Sequence, residues 1–183
     1  MHAEICTGLS VDIDNFSEVF KELEELLHGI TLIKEISPKT EDYLLSFGER
    51  LSVRIIADYF NNSGTPAIAK DAWDVGFITN NNFGEAEILP DTFENIKHTL
   101  EPLINNYTAT PIVTGYIAKN QAGTITTLGR GGSDLSASII GAALDADEIQ
   151  IWTDVDGILT TDPRLVKSAI SLPLVSFEEA SEL

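Results

Sequence analysis

The chain has 183 residues, a length that suits one domain with a core large enough to fold alone. Its formal net charge of −18 argues against a nucleic-acid partner or an anionic membrane, because both need clustered Lys and Arg side chains. The single cysteine, Cys6, cannot form an internal disulfide, and the chain has no run of about 18 apolar residues. These features predict a soluble cytoplasmic protein with one domain over residues 1–183.

The N-terminal region predicts one clear helix. Residues 1–11 fit either an extended edge or the end of a longer element. Apolar side chains then recur at helical spacing over residues 16–28. Asp14 or Asn15 is the predicted cap of this helix, and Gly29 is its predicted stop.

A second, longer helix is predicted over residues 40–60, after a break at residues 37–38. Gly48 lies inside this helix, where a glycine weakens it by about 1 kcal/mol relative to alanine. Such a glycine usually has a packing reason or a ligand reason. Glu49, which follows it, is therefore a candidate functional residue.

The rest of the chain predicts strands that alternate with helices. The predicted elements are strands at 65–72 and 77–79, a helix at 91–104, a hairpin of strands 111–118 and 124–128, a strand at 148–153, and a helix that begins within 176–183. Strands that alternate with helices predict an α/β fold with a mostly parallel sheet.

A glycine-rich loop interrupts this pattern at residues 129–132, and a helix is predicted directly after it over residues 135–144. Ser133 is the predicted N-cap, and Asp134 places a carboxylate in the first turn, where the helix dipole favours it. Such a loop leaves backbone N–H groups free to face an anion. Arg130 adds a planar guanidinium that can bind a carboxylate or a phosphate through two hydrogen bonds.

The loop therefore offers both a cationic and an anionic side chain. This combination suits a zwitterionic small molecule or a nucleotide. The alternative is a tight surface loop in which Arg130 and Asp134 pair with each other. The sequence contains no P-loop, and its three histidines are scattered without ligand spacing, so no metal site built from protein side chains is predicted.

Asp154 follows the predicted strand at 148–153, so it lies at that strand's carboxyl end. Ligands of open α/β sheets bind outside those ends. Thr153 or Asp154 is therefore a candidate to hold a ribose hydroxyl, a base or a metal-bound phosphate. The alternative is a solvated Asx turn.

Several segments together resemble one family, aspartate kinase. They are FGERLS (47–52), VTGYI (113–117), TTLGRGGSD (126–134), WTDVDGILTTDPR (152–164) and FEEASEL (177–183). Their order and spacing fit that family from about residue 40 onward, and several long motifs in order are more specific than a single glycine pattern.

The resemblance implies the amino-acid kinase fold, a three-layer αβα sandwich with a mostly parallel sheet. It implies transfer of the γ-phosphoryl group of ATP, with Mg²⁺, to the side-chain carboxylate of L-aspartate. This reaction is the first step toward lysine, threonine and methionine. It also implies a homo-oligomer in the full-length protein.

The resemblance also implies roles for individual residues. Arg130 would hold the carboxylate of aspartate, and Asp134 would hold its amino group and the catalytic geometry. Glu49 and Ser133 would contact aspartate, and Tyr116 stands where the family usually has Phe in that pocket. The implied nucleotide-binding residues are Thr153, Asp154 and Arg164.

Two departures from the family pattern limit these expectations. The family's opening Lys-Phe-Gly-Gly-Thr-Ser strand, whose lysine meets the transferred phosphate, does not occur in these residues, and neither do the later Lys-Val-Leu-His-Pro segment and ACT domains. We therefore expect a catalytic domain truncated at both ends, with impaired turnover. Two alternatives are a non-catalytic module that binds aspartate or nucleotide, and a different amino-acid kinase.

Overall fold

A computed structural model of the chain describes residues 2–106, 108–153, 157–176 and 178–179. The chain forms two compact units, Met1–Ile149 and Gln150–Leu183. Among the helices that are described, none is both long enough and apolar enough to cross a membrane. The single domain over residues 1–183 stays a prediction.

Three helices open the larger unit: α1 (His2–Leu9), α2 (Ser17–Ile33) and α3 (Pro38–Asn62). A short 3₁₀ helix, Ile13–Phe16, joins α1 to α2. The small core of this helical layer contains Cys6, Val11, Phe16, Leu51 and Ile55. The extended edge considered for residues 1–11 is wrong, because residues 2–9 form helix α1, which buries Cys6 in this core.

Helix α2 does not stop at Gly29, as the sequence predicted. It continues for about one more turn to Ile33, and its C-cap, Lys34, has a left-handed φ of 58°. A glycine inside a helix costs only about 1 kcal/mol, so the helix passes through it. The predicted caps are wrong too. Asp14 and Asn15 lie in the 3₁₀ helix, whose own cap, Asp12, accepts a hydrogen bond from the Asp14 N–H.

Helix α3 begins at the predicted break. The Ser37 hydroxyl caps it by accepting the Thr40 N–H at 3.2 Å, and Pro38 occupies the first helical position. Gly48 lies within this helix and is exposed. A Cβ added at Gly48 would meet no atom within 4 Å, so no described neighbour gives this glycine a packing reason.

Short strands follow in two sheets. They are β1 (Ala67–Lys70), β2 (Ile78–Thr79), β3 (Thr110–Val113), β4 (Ile117–Asn120) and β5 (Ile125–Thr127). Strand β1 pairs with β3 in parallel, β2 pairs with β4 in parallel, and β4 and β5 form the predicted antiparallel hairpin. Helices α4 (Asp91–Asn105) and α5 (Gly132–Ala143) complete this unit. The mixed fold with parallel pairing is confirmed.

The β4–β5 hairpin lies between two helical layers. Ala118 pairs with Thr126 and packs in the larger core, which α4 and α5 supply with Ile96, Leu100, Ile139 and Ala143. The neighbouring residue, Thr127, faces the other way and bonds to Asp42 of α3. Because successive side chains of a strand point to opposite faces, α3 covers one face and α4 with α5 covers the other.

The strand predicted over residues 111–118 is two strands in different sheets. The chain leaves β3 at Thr114, whose hydroxyl accepts the Ala72 N–H at 2.8 Å. It enters β4 after Tyr116, which has a φ of 65°. A left-handed residue breaks a β-ladder. The continuous β-branched and aromatic composition of this segment hides the break.

The strand predicted at 148–153 is wrong. The structure assigns no strand there, and in the smaller unit the described pairing is one isolated bridge between Leu159 and Ser171. Alternating apolar residues supply a side-chain pattern, but a strand also needs a neighbour for its backbone groups. A helix start at the chain end is supported by Ser176 and Glu179, which form a reciprocal capping box.

Candidate active site

The glycine-rich loop turns β5 into α5. Gly129 and Gly131 both have a φ of 75°, which favours glycine, and the Gly132 N–H closes the loop onto the Gly129 carbonyl at 3.1 Å. Helix α5 begins at Gly132 with Gly131 as its cap, so the predicted N-cap, Ser133, is wrong and lies in the first turn. The first amides of α5 have no carbonyl partner within the helix and can bind an anion.

Arg130 and Asp134 are both exposed on this loop and first turn. Within the described part of the chain, neither side chain makes a hydrogen bond or an ion pair. The alternative of a surface pair between them is therefore not formed. A guanidinium without a protein partner, beside a helix N-terminus, is available to an anionic ligand.

Glu49, Gly115 and Ser133 come together although they are far apart in the sequence. The Glu49 carboxylate, on α3, accepts a hydrogen bond from the backbone of Gly115, which lies between β3 and β4. A Cβ added at Gly115 would lie 3.1 Å from both Cα and Cβ of Ser133. This spacing is tighter than an ordinary Cβ contact, so a side chain at Gly115 would require Ser133 to shift by a few tenths of an ångström. The β3–β4 link thus packs closely on the start of α5, next to Glu49 of α3.

Tyr116, which lies between β3 and β4 in the chain, packs against the start of α5. Its N–H donates to the Ser136 hydroxyl at 3.1 Å, and that hydroxyl donates to the Gly132 carbonyl at 2.8 Å. A Cβ added at Gly132 would lie 2.9 Å from Cδ2 of Tyr116, so the ring covers the backbone there. Among the described residues the Tyr116 hydroxyl has no hydrogen-bond partner, which leaves it free for water or a ligand.

Burial raises the pKa of the Glu49 carboxyl above its ordinary value of 4.5, and the hydrogen bond from Gly115 only partly opposes this. Between the ordinary and the raised pKa the folded chain binds more protons than the unfolded chain. Stability therefore falls as pH rises through that interval. Charging this carboxyl in the folded chain costs stability, and a ligand ammonium group would relieve that cost.

We expect Glu49→Gln to reduce the loss of stability as pH rises above the ordinary pKa of 4.5, and so to stabilise the chain at about pH 7 relative to about pH 4. The amide oxygen can still accept the Gly115 N–H, whereas the buried charge is gone. Urea unfolding followed by circular dichroism at the two pH values measures this. Glu24→Gln, at an exposed position of α2, is the control and should change stability by less than about 0.5 kcal/mol. A Glu49→Gln variant less stable than wild type at neutral pH would contradict the expectation.

The predicted nucleotide-binding residues belong to the smaller unit. Thr153 is exposed, and Asp154 lies outside the described residues. The Arg164 guanidinium bonds to the carboxylate of Asp162 through Nη2 at 2.9 Å and through Nε at 3.1 Å. This hydrogen bond lowers the pKa of the Asp162 carboxyl. The nucleotide-binding role of these residues stays a prediction.

Sequence reasoning missed two contributors to this region. Gly115 was part of a recognised motif, but its N–H bond to Glu49 has no sequence signal. Asp42 is almost completely buried and bonds to the strand that leads into the glycine-rich loop. A signal for Asp42 did exist, because it precedes Glu49 by seven residues and so lies on the same face of α3.

The described residues contain no group of three or more His, Cys, Asp or Glu placed to hold a metal ion. The metal prediction stays a prediction, because Mg²⁺ is usually bound by one or two carboxylates together with substrate phosphates and water.

An α/β fold that presents an unpaired arginine on a glycine-rich loop at a helix N-terminus is suited to binding small anionic substrates. The model of the amino acid kinase family matches residues 3–183. The chain belongs to the amino acid kinase family.

Several curated relatives that it matches are aspartokinases. The chain is 45% identical to Aspartokinase 1, chloroplastic, of Arabidopsis thaliana, in an alignment that covers 100% of this chain and 32% of that protein. It is 41% identical to Aspartokinase of Bacillus sp. (strain MGA3), over 91% of this chain and 40% of that protein. The chain thus spans about a third of the length of three Arabidopsis thaliana aspartokinases that it matches.

A solved structure agrees with this relationship. The crystal structure of E. coli aspartokinase III in complex with aspartate and ADP matches with a TM-score of 0.75 and 35% identity, over 90% of this chain and 37% of that chain. The resemblance to aspartate kinase and the fold class predicted from the sequence are both confirmed.

Proposed function

We propose that this chain is the part of an aspartate kinase that recognises aspartate, and that the complete enzyme converts ATP and L-aspartate to ADP and 4-phospho-L-aspartate. The observation that carries the proposal is Arg130, an unpaired guanidinium on the loop that also brings Ser133 to Gly115 and Glu49. The named aspartokinase relatives, and a similar structure described with aspartate and ADP, support the same substrate pair.

The charges of this region match those of aspartate. The substrate carries two carboxylates and one ammonium group. Arg130 binds a carboxylate, and Asp134 and Glu49 attract the ammonium group, while Ser133 and Tyr116 line the pocket. Tight positioning with charge neutralisation is what phosphoryl transfer requires, since the protein does little covalent chemistry in it.

ATP and Mg²⁺ complete the proposal. Thr153, Asp154 and Arg164 are the proposed nucleotide contacts. Mg²⁺, when bound, neutralises charge on the phosphate oxygens. The carboxylate oxygen of aspartate attacks the γ-phosphorus, the bond from that phosphorus to the β–γ bridging oxygen breaks, and ADP leaves with the electron pair.

The proposed pathway, compartment and oligomeric state follow from the proposal that the chain is part of an aspartate kinase. We place the reaction at the first step of lysine, threonine and methionine biosynthesis, in the cytoplasm and in a homo-oligomer of the full-length protein. The buried free thiol of Cys6 is compatible with a reducing compartment. The charge of −18 is unfavourable for nucleic-acid or anionic-membrane partners.

A second candidate is an aspartate- or nucleotide-binding module without turnover. The observation in its favour is that the 183 residues contain no Lys-Phe-Gly-Gly motif to supply the phosphate-binding lysine. The two candidates differ in whether the complete protein, and not only these residues, forms an acyl phosphate.

Two measurements on the 183-residue chain test the candidates. Calorimetry with L-aspartate should show binding for the proposed function and for a module that binds aspartate. Trapping with hydroxylamine, in the presence of ATP and Mg²⁺, detects acyl phosphate. We expect binding with little or no trapped product. Efficient trapping would reject the binding-module candidate, and a folded chain that binds no aspartate would reject the proposed function.

A further inference from the structure

Asp42 is a buried charged residue that the proposed chemistry does not use. Its exposed fraction is 1%. Its Oδ2 atom accepts the N–H groups of Gly84 and Thr127, each at 3.0 Å, and its Oδ1 atom accepts the Thr127 hydroxyl at 2.8 Å. A carboxylate at this depth is tolerated only when such donors surround it. All three donors belong to segments far from Asp42 in the sequence.

Both segments contact the beginning of the glycine-rich loop. Thr127 is the last residue of β5, three positions before Arg130. The Ala86 N–H donates to the Thr127 carbonyl at 2.8 Å, and a Cβ added at Gly129 would lie 3.2 Å from the Gly84 carbonyl oxygen. Asp42 therefore holds together the strand that leads to Arg130 and the segment against which Gly129 packs.

Helix α3 also holds the other part of the proposed pocket. Asp42 and Glu49 are seven residues apart, which places them on one face about 10 Å apart along the helix axis. Asp42 bonds to β5, and Glu49 accepts the Gly115 N–H. One rigid helix thus contacts the segment that carries Arg130 and the segment that packs on Ser133.

We propose that Asp42 is a positioning residue, which fixes the Arg130 loop relative to Glu49 through its hydrogen bonds to Gly84 and Thr127. Asp42 touches no substrate in this role. The inference rests on the proposed function, because the effect it predicts is on aspartate binding.

The first test compares Asp42→Ala with Asp42→Asn. Alanine removes all three hydrogen bonds. Asparagine can keep them, because its Oδ1 accepts both N–H groups and its Nδ2 donates to the Thr127 hydroxyl. We expect Asp42→Ala to weaken aspartate binding, measured by calorimetry, by roughly tenfold or more, the consequence of losing charge-assisted hydrogen bonds at a buried site. Asp42→Asn should stay within about threefold of wild type.

A matched pair on β5 separates positioning from general stability. Thr126 and Thr127 are neighbours with 0% exposure, and each hydroxyl makes one buried hydrogen bond. Only Thr127 bonds to Asp42, since Thr126 bonds to Thr79. Thr127→Val should weaken aspartate binding about threefold or more, whereas Thr126→Val should leave it within about twofold at a similar loss of unfolding free energy.

The proposal is overturned if folded Asp42→Ala binds aspartate as wild type does, or if Thr126→Val and Thr127→Val weaken binding equally. If Asp42→Ala does not fold, the threonine pair decides. If wild type binds no aspartate, the proposed function fails, and amide hydrogen exchange of residues 128–132 decides instead. Faster exchange there in Thr127→Val than in Thr126→Val supports the positioning role, and equal exchange overturns it.

Discussion

Replacing Arg130 by alanine is expected to weaken aspartate binding about 100-fold without unfolding the chain. A bidentate guanidinium–carboxylate pair contains two charge-assisted hydrogen bonds, each of which contributes about 1.5–3 kcal/mol. Arg130 is exposed and has no partner among the described residues, so its removal should change the free energy of unfolding by less than about 0.5 kcal/mol. Calorimetry with L-aspartate and urea unfolding measure the two quantities.

Two control variants show whether geometry or charge is responsible. Arg130→Lys keeps the charge but loses the planar fork, and it should bind with an intermediate affinity. Lys21→Ala removes an exposed cation of α2 from a chain of net charge −18. It therefore tests whether the overall charge of the chain, and not a specific contact, changes the affinity for aspartate. It should leave the affinity within about twofold, since an exposed cation without direct contact to the ligand acts through solvent and is screened by salt. Equal losses for Arg130→Ala and Lys21→Ala would show that Arg130 has no specific role.

The chemistry of the candidate site was predictable because it lies in short motifs. Arg130 and Asp134 occupy one glycine-rich loop before a helix, and local sequence carries both the backbone requirement and the charges. The bond from Gly115 to Glu49 was not predictable, because it joins segments that periodicity treats separately. Asp42 was missed for a related reason. A helical pattern assigns the buried face to apolar side chains. The spacing of seven residues from Glu49 places Asp42 on the same face, but it does not show that Asp42 is buried or which donors on other segments it binds.

The fold, too, has features that local sequence predicts and features that depend on contacts between distant segments. Long amphipathic helices were found where the sequence placed them, because burial of one face repeats every turn. The errors lie at the ends and in the strands. Gly29 did not end α2, since a cost of about 1 kcal/mol is too small to stop a helix on its own. The strand expected at 148–153 failed because its backbone pairing depends on a neighbouring strand, which no local pattern specifies.

Gly76→Ala is expected to destabilise the larger unit by about 3 kcal/mol or more. Gly76 follows a 3₁₀ helix, Ala72–Val75, and has a φ of 101°, a conformation that side chains with a Cβ rarely adopt. A Cβ there would lie 2.4 Å from Cβ of Asn95 and 3.0 Å from its backbone carbon. Forced overpacking costs about 1–3 kcal/mol, and backbone strain adds a similar amount.

The position of Gly76 makes this strain hard to relieve. Its neighbours Val75 and Phe77 are almost fully buried and pack with Ile96 of α4, so moving Asn95 away would also disturb the larger core. Gly29→Ala, inside α2, is the matched control, because the added Cβ would meet nothing within 4 Å. This substitution should raise the free energy of unfolding by up to about 1 kcal/mol. Urea unfolding gives both values. If the urea midpoint of unfolding of Gly76→Ala equals that of wild type, α4 can shift by about an ångström. The core that supports α5 would then be less rigid than its packing indicates.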